Sequence, residues 1–180
     1  MNNSNKLASP AHGSEFRVLG IDPGTAATGW AVLEERKTEP KLVAFGCINT
    51  SKFKTNSERL VEIGNDIKTL IKKFKPKEVA VEDIFFFKNL KTAITVSQAR
   101  GVILYELRRA RIPIFTYTPL QIKQALTSYG RADKNQIQLM VKNILKLKKT
   151  PKPDDAADAI AIAICHLNSR KTSKLTSCGS

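Results

Sequence analysis

The stretch Arg17-Val18-Leu19-Gly20-Ile21-Asp22-Pro23-Gly24-Thr25-Ala26-Ala27-Thr28-Gly29-Trp30-Ala31-Val32-Leu33 constrains this chain more than any other. It reads as a hydrophobic strand, a glycine-rich turn and a second strand. Asp22 stands where the first strand stops. An acid at the end of a buried strand must be paired, neutralised or coordinated to a cation. Asp-Pro-Gly is also the sequence of an ordinary turn, and the tripeptide alone favours that plainer reading.

With 180 residues, 42% of them hydrophobic, the chain has enough material for one full core and too little for two. Thirty Lys and Arg against sixteen Asp and Glu give a net charge of +14, which points to a polyanionic partner and first to nucleic acid. A solvated lysine-rich surface produces the same balance. Cys47, Cys165 and Cys178 lack CxxC spacing, so neither a disulfide framework nor a zinc site is expected. That usage suits a reducing, cytoplasmic setting. No run approaches the roughly 18 apolar residues of a membrane span, and the N-terminus lacks a signal pattern. Residues 1–16 read as a disordered or cloning-derived tail ending in Gly13-Ser14-Glu15-Phe16. Residues 17–169 form the expected domain, and 170–180, with Arg170, Lys171 and Lys174, a basic disordered tail.

Within the domain, Lys41 to Asn49 is a third strand, and a turn at Thr38-Glu39-Pro40 folds it back on the second to complete an antiparallel meander. Leu60, Ile63, Ile67, Leu70, Ile71 and Phe74 recur at helical spacing, with Asn56 or Ser57 as N-cap and Pro76 as the stop. Glu78 to Asp83 is a short strand. Coming after a strand and a helix, it implies a crossover and a parallel pairing, hence an α/β fold. An aromatic cluster, Phe85-Phe86-Phe87, leads to a helix from Thr92 to Arg109. A strand from Ile112 to Tyr117, a helix opening at Pro119, a helix from Lys134 to about Leu147 and a final helix from Asp154 to about Asn168 complete the chain.

Asp22 ends the first strand and Glu82 the fourth, so parallel neighbours would bring both acids to one sheet edge, where sites in such folds gather. Asp155 and Asp158, three residues apart, share a helix face. If that turn meets the same edge, four carboxylates converge, and such a set calls for hard cations such as Mg²⁺. Two ions of that kind activate water and stabilise the leaving oxygen in phosphodiester hydrolysis. Each acid also has a plainer role: Glu82 as the solvent end of a strand, Asp154 as an N-cap, Asp155 and Asp158 as complements to the helix dipole.

In this order and context the set resembles the RuvC family of Holliday junction resolvases, over nearly everything from Arg17 to Asn168. The markers are Gly20-Ile21-Asp22-Pro23-Gly24, Val81-Glu82-Asp83-Ile84-Phe85, Gln98-Ala99-Arg100-Gly101, Gln121-Ile122-Lys123-Gln124-Ala125, Met140-Val141 and Asp155-Ala156-Ala157-Asp158-Ala159-Ile160-Ala161-Ile162-Ala163. The resemblance implies an RNase H-like α/β fold with a five-stranded mixed sheet, a three-strand antiparallel meander plus two parallel strands, and helices on both faces. It implies a Mg²⁺-dependent endonuclease, with Mn²⁺ as substitute and two ions per site, that nicks four-way DNA junctions symmetrically in recombination and repair. Asp22, Glu82, Asp155 and Asp158 match the family's catalytic metal ligands, Asp22 as the bridging one, although some members carry His at the position of Asp155. Phe85 matches a base-stacking phenylalanine. Lys88, Lys123 and Lys134 match basic positions near phosphate, and Arg131 in the adjacent loop is a further DNA contact expected from its surroundings. His12 and His166 receive no catalytic role.

A homodimer suits a two-fold symmetric junction, with the helix from Thr92 to Arg109 as the expected interface. A RuvAB-type branch-migration complex is a further partner implied by the resemblance. Two other readings stand beside the nuclease. One is a catalytically inactive junction- or RNA-binding protein of the same fold. The other is an ATPase of the actin and heat-shock type, suggested by Gly-Ile-Asp-Pro-Gly-Thr, which would need a second such domain.

Overall fold

A computed structural model describes residues 16–37, 39–83 and 90–177, and their side chains except at 90, 91 and 173–177. The tail up to residue 15, Thr38, the aromatic cluster with Phe85 and Lys88, and Cys178 lie outside the described residues. The elements in chain order are β1 (Arg17–Asp22), β2 (Ala27–Glu34), β3 (Lys41–Asn49), α1 (Asn56–Phe74), β4 (Glu78–Glu82), α2 (Leu90–Arg109), β5 (Ile114–Tyr117), α3 (Pro119–Thr127), α4 (Lys134–Ile144) and α5 (Asp154–Ser177). They form one mixed sheet of order β3-β2-β1-β4-β5. The meander β1-β2-β3 is antiparallel, while β4 runs parallel to β1 and β5 parallel to β4.

The sheet separates two cores, and strand alternation decides which residue serves which. Leu19, Ile21, Val79 and Val81 face α1 and α2, joining Ile63, Ile67, Ile103 and Leu107. Val18 and Ala80 face the other way, onto Ile160, Ile164, Ile122, Ile137 and Val141 of α3, α4 and α5. By the same alternation Asp22 and Glu82 project towards α5.

Helix α5 lies unusually close to the sheet, for a reason visible in two glycines. A Cβ on Gly20 would run into the Ala159 carbonyl and Ala163, and one on Gly29 into the Asp155 carbonyl. These bare positions, facing alanines on the helix, form a saddle in which the first turns of α5 ride against β1 and β2.

Several boundaries differ from the sequence reading. Helix α1 is capped by Thr55, not Asn56 or Ser57, through a reciprocal box with Glu58. Asp154 is not an N-cap: the carbonyl of Pro153 accepts the first intrahelical bond, from Ala157. Strand β5 starts at Ile114 because Pro113 has no N–H to give the ladder. The largest correction concerns the end of the chain. Helix α5 continues past Asn168 to Ser177, so Arg170 and Lys171, expected in a loose tail, are helical. Phe16, likewise assigned to a tail, belongs to the fold: its carbonyl accepts from Glu35 N at 2.8 Å and Arg170 lies 3.6 Å over its ring.

Candidate active site

The register of β1 against β4 pairs Ile21 with Val81, so the next residues, Asp22 and Glu82, leave the sheet side by side. Their carboxyl groups share a hydrogen bond, which requires one proton between them. Burial, then the charge of Glu82, then those of Asp158 and Asp155 push the Asp22 carboxyl up to about 9. Glu82 is raised by burial and by Asp158. Asp158 is raised by burial, against the pull of Lys134. The four acids singled out in the sequence therefore act on one another at one sheet edge.

The geometry around them comes from elements that converge there. Asp155 and Asp158 occupy the first turns of α5, delivered by the Gly29 and Gly20 saddle. Lys134, the first residue of α4, reaches across to Asp154 at 3.2 Å and Asp158 at 3.4 Å. Burial would lower its pKa, but the attraction of Asp158 and Asp154 prevails and raises it. Asp154 is also held by Gln138 at 3.0 Å. Beside the acids a cleft of about 220 Å³ is lined by Glu82, Asp158, Lys123 and Lys134 on its polar side, with Ile122, Ile137 and Ile162 among the apolar residues beneath. Lys123 and Lys134 thus share a cleft with two of the acids. Arg131 is exposed in the loop before α4, outside the cleft lining.

Four features of the site were not anticipated from sequence. Arg100, quoted there only within a marker, donates from Nε to the Glu82 carbonyl at 3.3 Å and pairs with Asp83 at 3.2 Å, pinning the end of β4. Thr28 donates to the Gly24 carbonyl at 2.6 Å and tightens the turn after Asp22. Thr25 donates to the Thr95 carbonyl at 2.8 Å and ties that turn to α2. Cys47, opposite Gly29 on β3, lies near enough to the acids that burial and then Asp155 raise its thiol pKa. Threonines in a Gly-rich turn are a legible signal for the first such tie; the reach of Arg100 is not.

The donor set consists of carboxylate oxygens, which suits a hard divalent cation. Among the described residues no three His, Cys, Asp or Glu side chains close on one point as a coordination sphere. Asp22 and Glu82 are engaged with each other and Asp158 with Lys134. The buried charge that keeps Asp22 protonated is what a cation would neutralise, so the residues fit such an ion.

A five-stranded mixed sheet carrying acids at the β1 and β4 ends and on the last helix defines the class of RNase H-like nucleases. The comparisons with known proteins specify further. The family model for "Crossover junction endodeoxyribonuclease RuvC" matches residues 18–166. A crossover junction endodeoxyribonuclease RuvC of Petrotoga mobilis is 53% identical over 157 residues, covering 87% of this chain and 96% of its own. The structure of Thermus thermophilus RuvC superposes with a TM-score of 0.81 at 34% identity, covering 88% of this chain and 97% of that one. The same protein in complex with a Holliday junction substrate gives 0.79 at 33% identity, over 87% and 96%. The chain belongs to the RuvC family of crossover junction endodeoxyribonucleases. It is therefore a nuclease, of a family that uses divalent metal, and the ATPase reading falls. Among the described residues no helix is long and apolar enough to cross a membrane.

Proposed function

We propose that this chain, as a homodimer, binds four-way DNA junctions and resolves them by paired symmetric nicks, with Asp22, Glu82, Asp155 and Asp158 holding two Mg²⁺ ions per site and Mn²⁺ able to substitute. The observation that carries this reading is the meeting of Asp22, Glu82, Asp155 and Asp158 at one sheet edge, where burial and mutual repulsion raise the Asp22 carboxyl. A cluster so repulsive has no structural benefit to offer a protein that only binds. The bound cations supply an activated water and stabilisation of the leaving oxygen.

The chain's own residues set the stage for that chemistry. Thr28 and the turn after Asp22 fix the β1 acid, Arg100 fixes the β4 acid, and the glycine saddle presents the two on α5. Lys134, 52% exposed at its side chain, is free to turn from Asp158 towards an incoming phosphate, where its charge offsets that building on the phosphorus oxygens. Lys123 lines the same cleft and orients the strand. Arg131, with Lys88 and Phe85 before α2, extends the DNA contact, Phe85 by stacking on bases near the crossover. For the homodimer, α2 carries a solvent-facing stripe of Ile94, Gln98, Gly101 and Tyr105, with Ile94 and Tyr105 more than half exposed. We place the subunit interface there. The family membership supports, as part of this proposal, work in the cytoplasm, in recombination and repair, beside a RuvAB-type motor.

The test compares cleavage of a synthetic four-way junction, a linear duplex and an RNA-DNA hybrid, with Mg²⁺ and with EDTA. Symmetric nicking of the junction in Mg²⁺ is expected. Tight junction binding without cleavage would favour the inactive binding protein, and equal cutting of the hybrid would move the reading to an RNase H.

A further inference from the structure

Strand β3 ends at Asn49, which pairs with Ala27, so it leaves the sheet at the same edge as Asp22. The turn that follows, Ser51-Lys52-Phe53-Lys54-Thr55, is tied down at both ends. At its start, Thr50 N donates to the Ala26 carbonyl at 3.1 Å and Thr50 Oγ1 to the Thr25 carbonyl at 2.6 Å, while Arg59 Nε donates to Thr50 Oγ1 at 2.7 Å. Within the turn, Lys54 N donates to the Ser51 carbonyl and Phe53 N to Ser51 Oγ, both at 3.2 Å. At its end, Thr55 caps α1. The loop that carries Asp22 and the turn that carries Phe53 are thus hydrogen-bonded to each other.

This braced turn presents an aromatic ring to water. Phe53 is 90% exposed, well beyond Val61 at 64% and Tyr105 at 60%. Lys52 Nζ lies 5.3 Å from its ring centroid. The charges nearby are unequal. Glu58 is committed to the Thr55 cap and Glu62 to Lys54 at 3.0 Å. Lys52 and Arg59 have no carboxylate partner among the described residues. A ring presented outside the core on a hydrogen-bonded turn, flanked by cations without a carboxylate partner among the described residues and at the sheet edge of the acids, has the makings of a single-strand contact, because every base offers a face to stack on and every linkage a phosphate.

We propose that the Ser51–Thr55 turn is a second DNA-contacting element, in which Phe53 stacks on an unstacked base near the crossover and Lys52 and Arg59 meet the adjoining phosphates. The inference rests on the junction-nuclease reading. A subunit contact is the rival role for the ring, since Asn56 of α1 bonds Gln98 on the exposed stripe of α2 at 2.7 Å.

The experiment uses the full chain with Phe53→Ala, Phe53→Trp and Lys52→Ala, and a four-way junction carrying 2-aminopurine at positions around the crossover. Phe53→Ala should weaken junction binding by about 5- to 150-fold, the span of one base-aromatic stack, and abolish quenching of at least one 2-aminopurine. Phe53→Trp should restore both. Lys52→Ala should reduce the slope of log affinity against log salt by about 1. Mass by light scattering should not change. Undiminished affinity in Phe53→Ala overturns the proposal, as does an affinity loss that accompanies a fall in oligomer mass. A wild-type chain that does not prefer junction over duplex would overturn the junction reading itself, and the inference with it.

Discussion

The two ends of α5 hold opposite solutions to the same problem. Strand β4 places an acid at each end of its α5-facing side, Glu78 at the start and Glu82 at the finish. At the far end, each carboxylate of the cluster has a hydrogen-bonded partner. Glu78 bonds His166 Nε2 at 2.7 Å and Arg170 at 2.6 Å, Arg170 continues to Glu35 at 3.2 Å, and His166 Nδ1 meets Tyr117 Oη at 2.7 Å. Burial lowers the His166 pKa, so the neutral ring donates from Nε2 to Glu78 and accepts from Tyr117. At the near end, Glu82 faces Asp22, Asp155 and Asp158, and Lys134 is the one cation bridged to that group among the described residues. One end is a closed structural clip, and the other gathers four acids about one lysine. In a family of nucleases, chemistry is expected at the end left unbalanced.

That contrast can be broken in several places. Asp22→Asn should reduce junction cleavage most, on the order of 10³-fold or more, the scale of removing key transition-state charge stabilisation. Its metal-free melting temperature should hold or rise, because Asn mimics the protonated carboxyl. Glu78→Ala should do the reverse. Leaving the His166 Nε2–H without its acceptor, and Arg170 with Glu35 alone, should cost about 1–3 kcal/mol in urea unfolding, while cleavage below the melting transition stays within a few fold of the parent. Gly29→Ala sets a methyl against the Asp155 carbonyl and should cost about 1–3 kcal/mol. At equal loss of stability it should impair cleavage more than Glu78→Ala, since it displaces a site residue.

The pH dependence sharpens the same comparison. Asp22 binds its proton more tightly folded, near 9, than unfolded, near 3.8. The folded state therefore holds more protons between those values, and metal-free stability should fall as pH rises through that window. His166 shifts the other way, so its contribution is lost as pH falls below the unfolded value of about 6.5. Removing Asp22 by Asn should flatten the alkaline limb, and replacing His166 by Gln should flatten the acidic one, both read by thermal melting in EDTA.

The near end was largely legible in sequence, and the far end was not. Asp22, Glu82, Asp155 and Asp158 sit at positions that strand ends and helix spacing bring to one edge, so local pattern was enough. The five-stranded sheet followed from the meander and one crossover. The clip depends on contacts between residues 88, 92 and 135 positions apart, and no local pattern signals that Arg170 has partners. Without them α5 reads as ending near Asn168, where the polar residues start. The Gly29 saddle was hidden for a related reason. Gly29 looks like turn chemistry until the register sets it opposite Asp22 and beneath Asp155. The Thr55 cap carries its own local signal, Thr-x-x-Glu ending at Glu58.

The most direct test is a Mn²⁺ titration of the free protein, followed by calorimetry and melting temperature, in the parent, Asp22→Asn and Glu78→Gln. The unbalanced end should bind the ion, so the parent and Glu78→Gln should release heat and gain melting temperature on saturation, with larger gains at pH 8 than at pH 6. Asp22→Asn should show neither response. Equal metal stabilisation of Asp22→Asn and the parent would contradict the assignment of the acid cluster as the metal site.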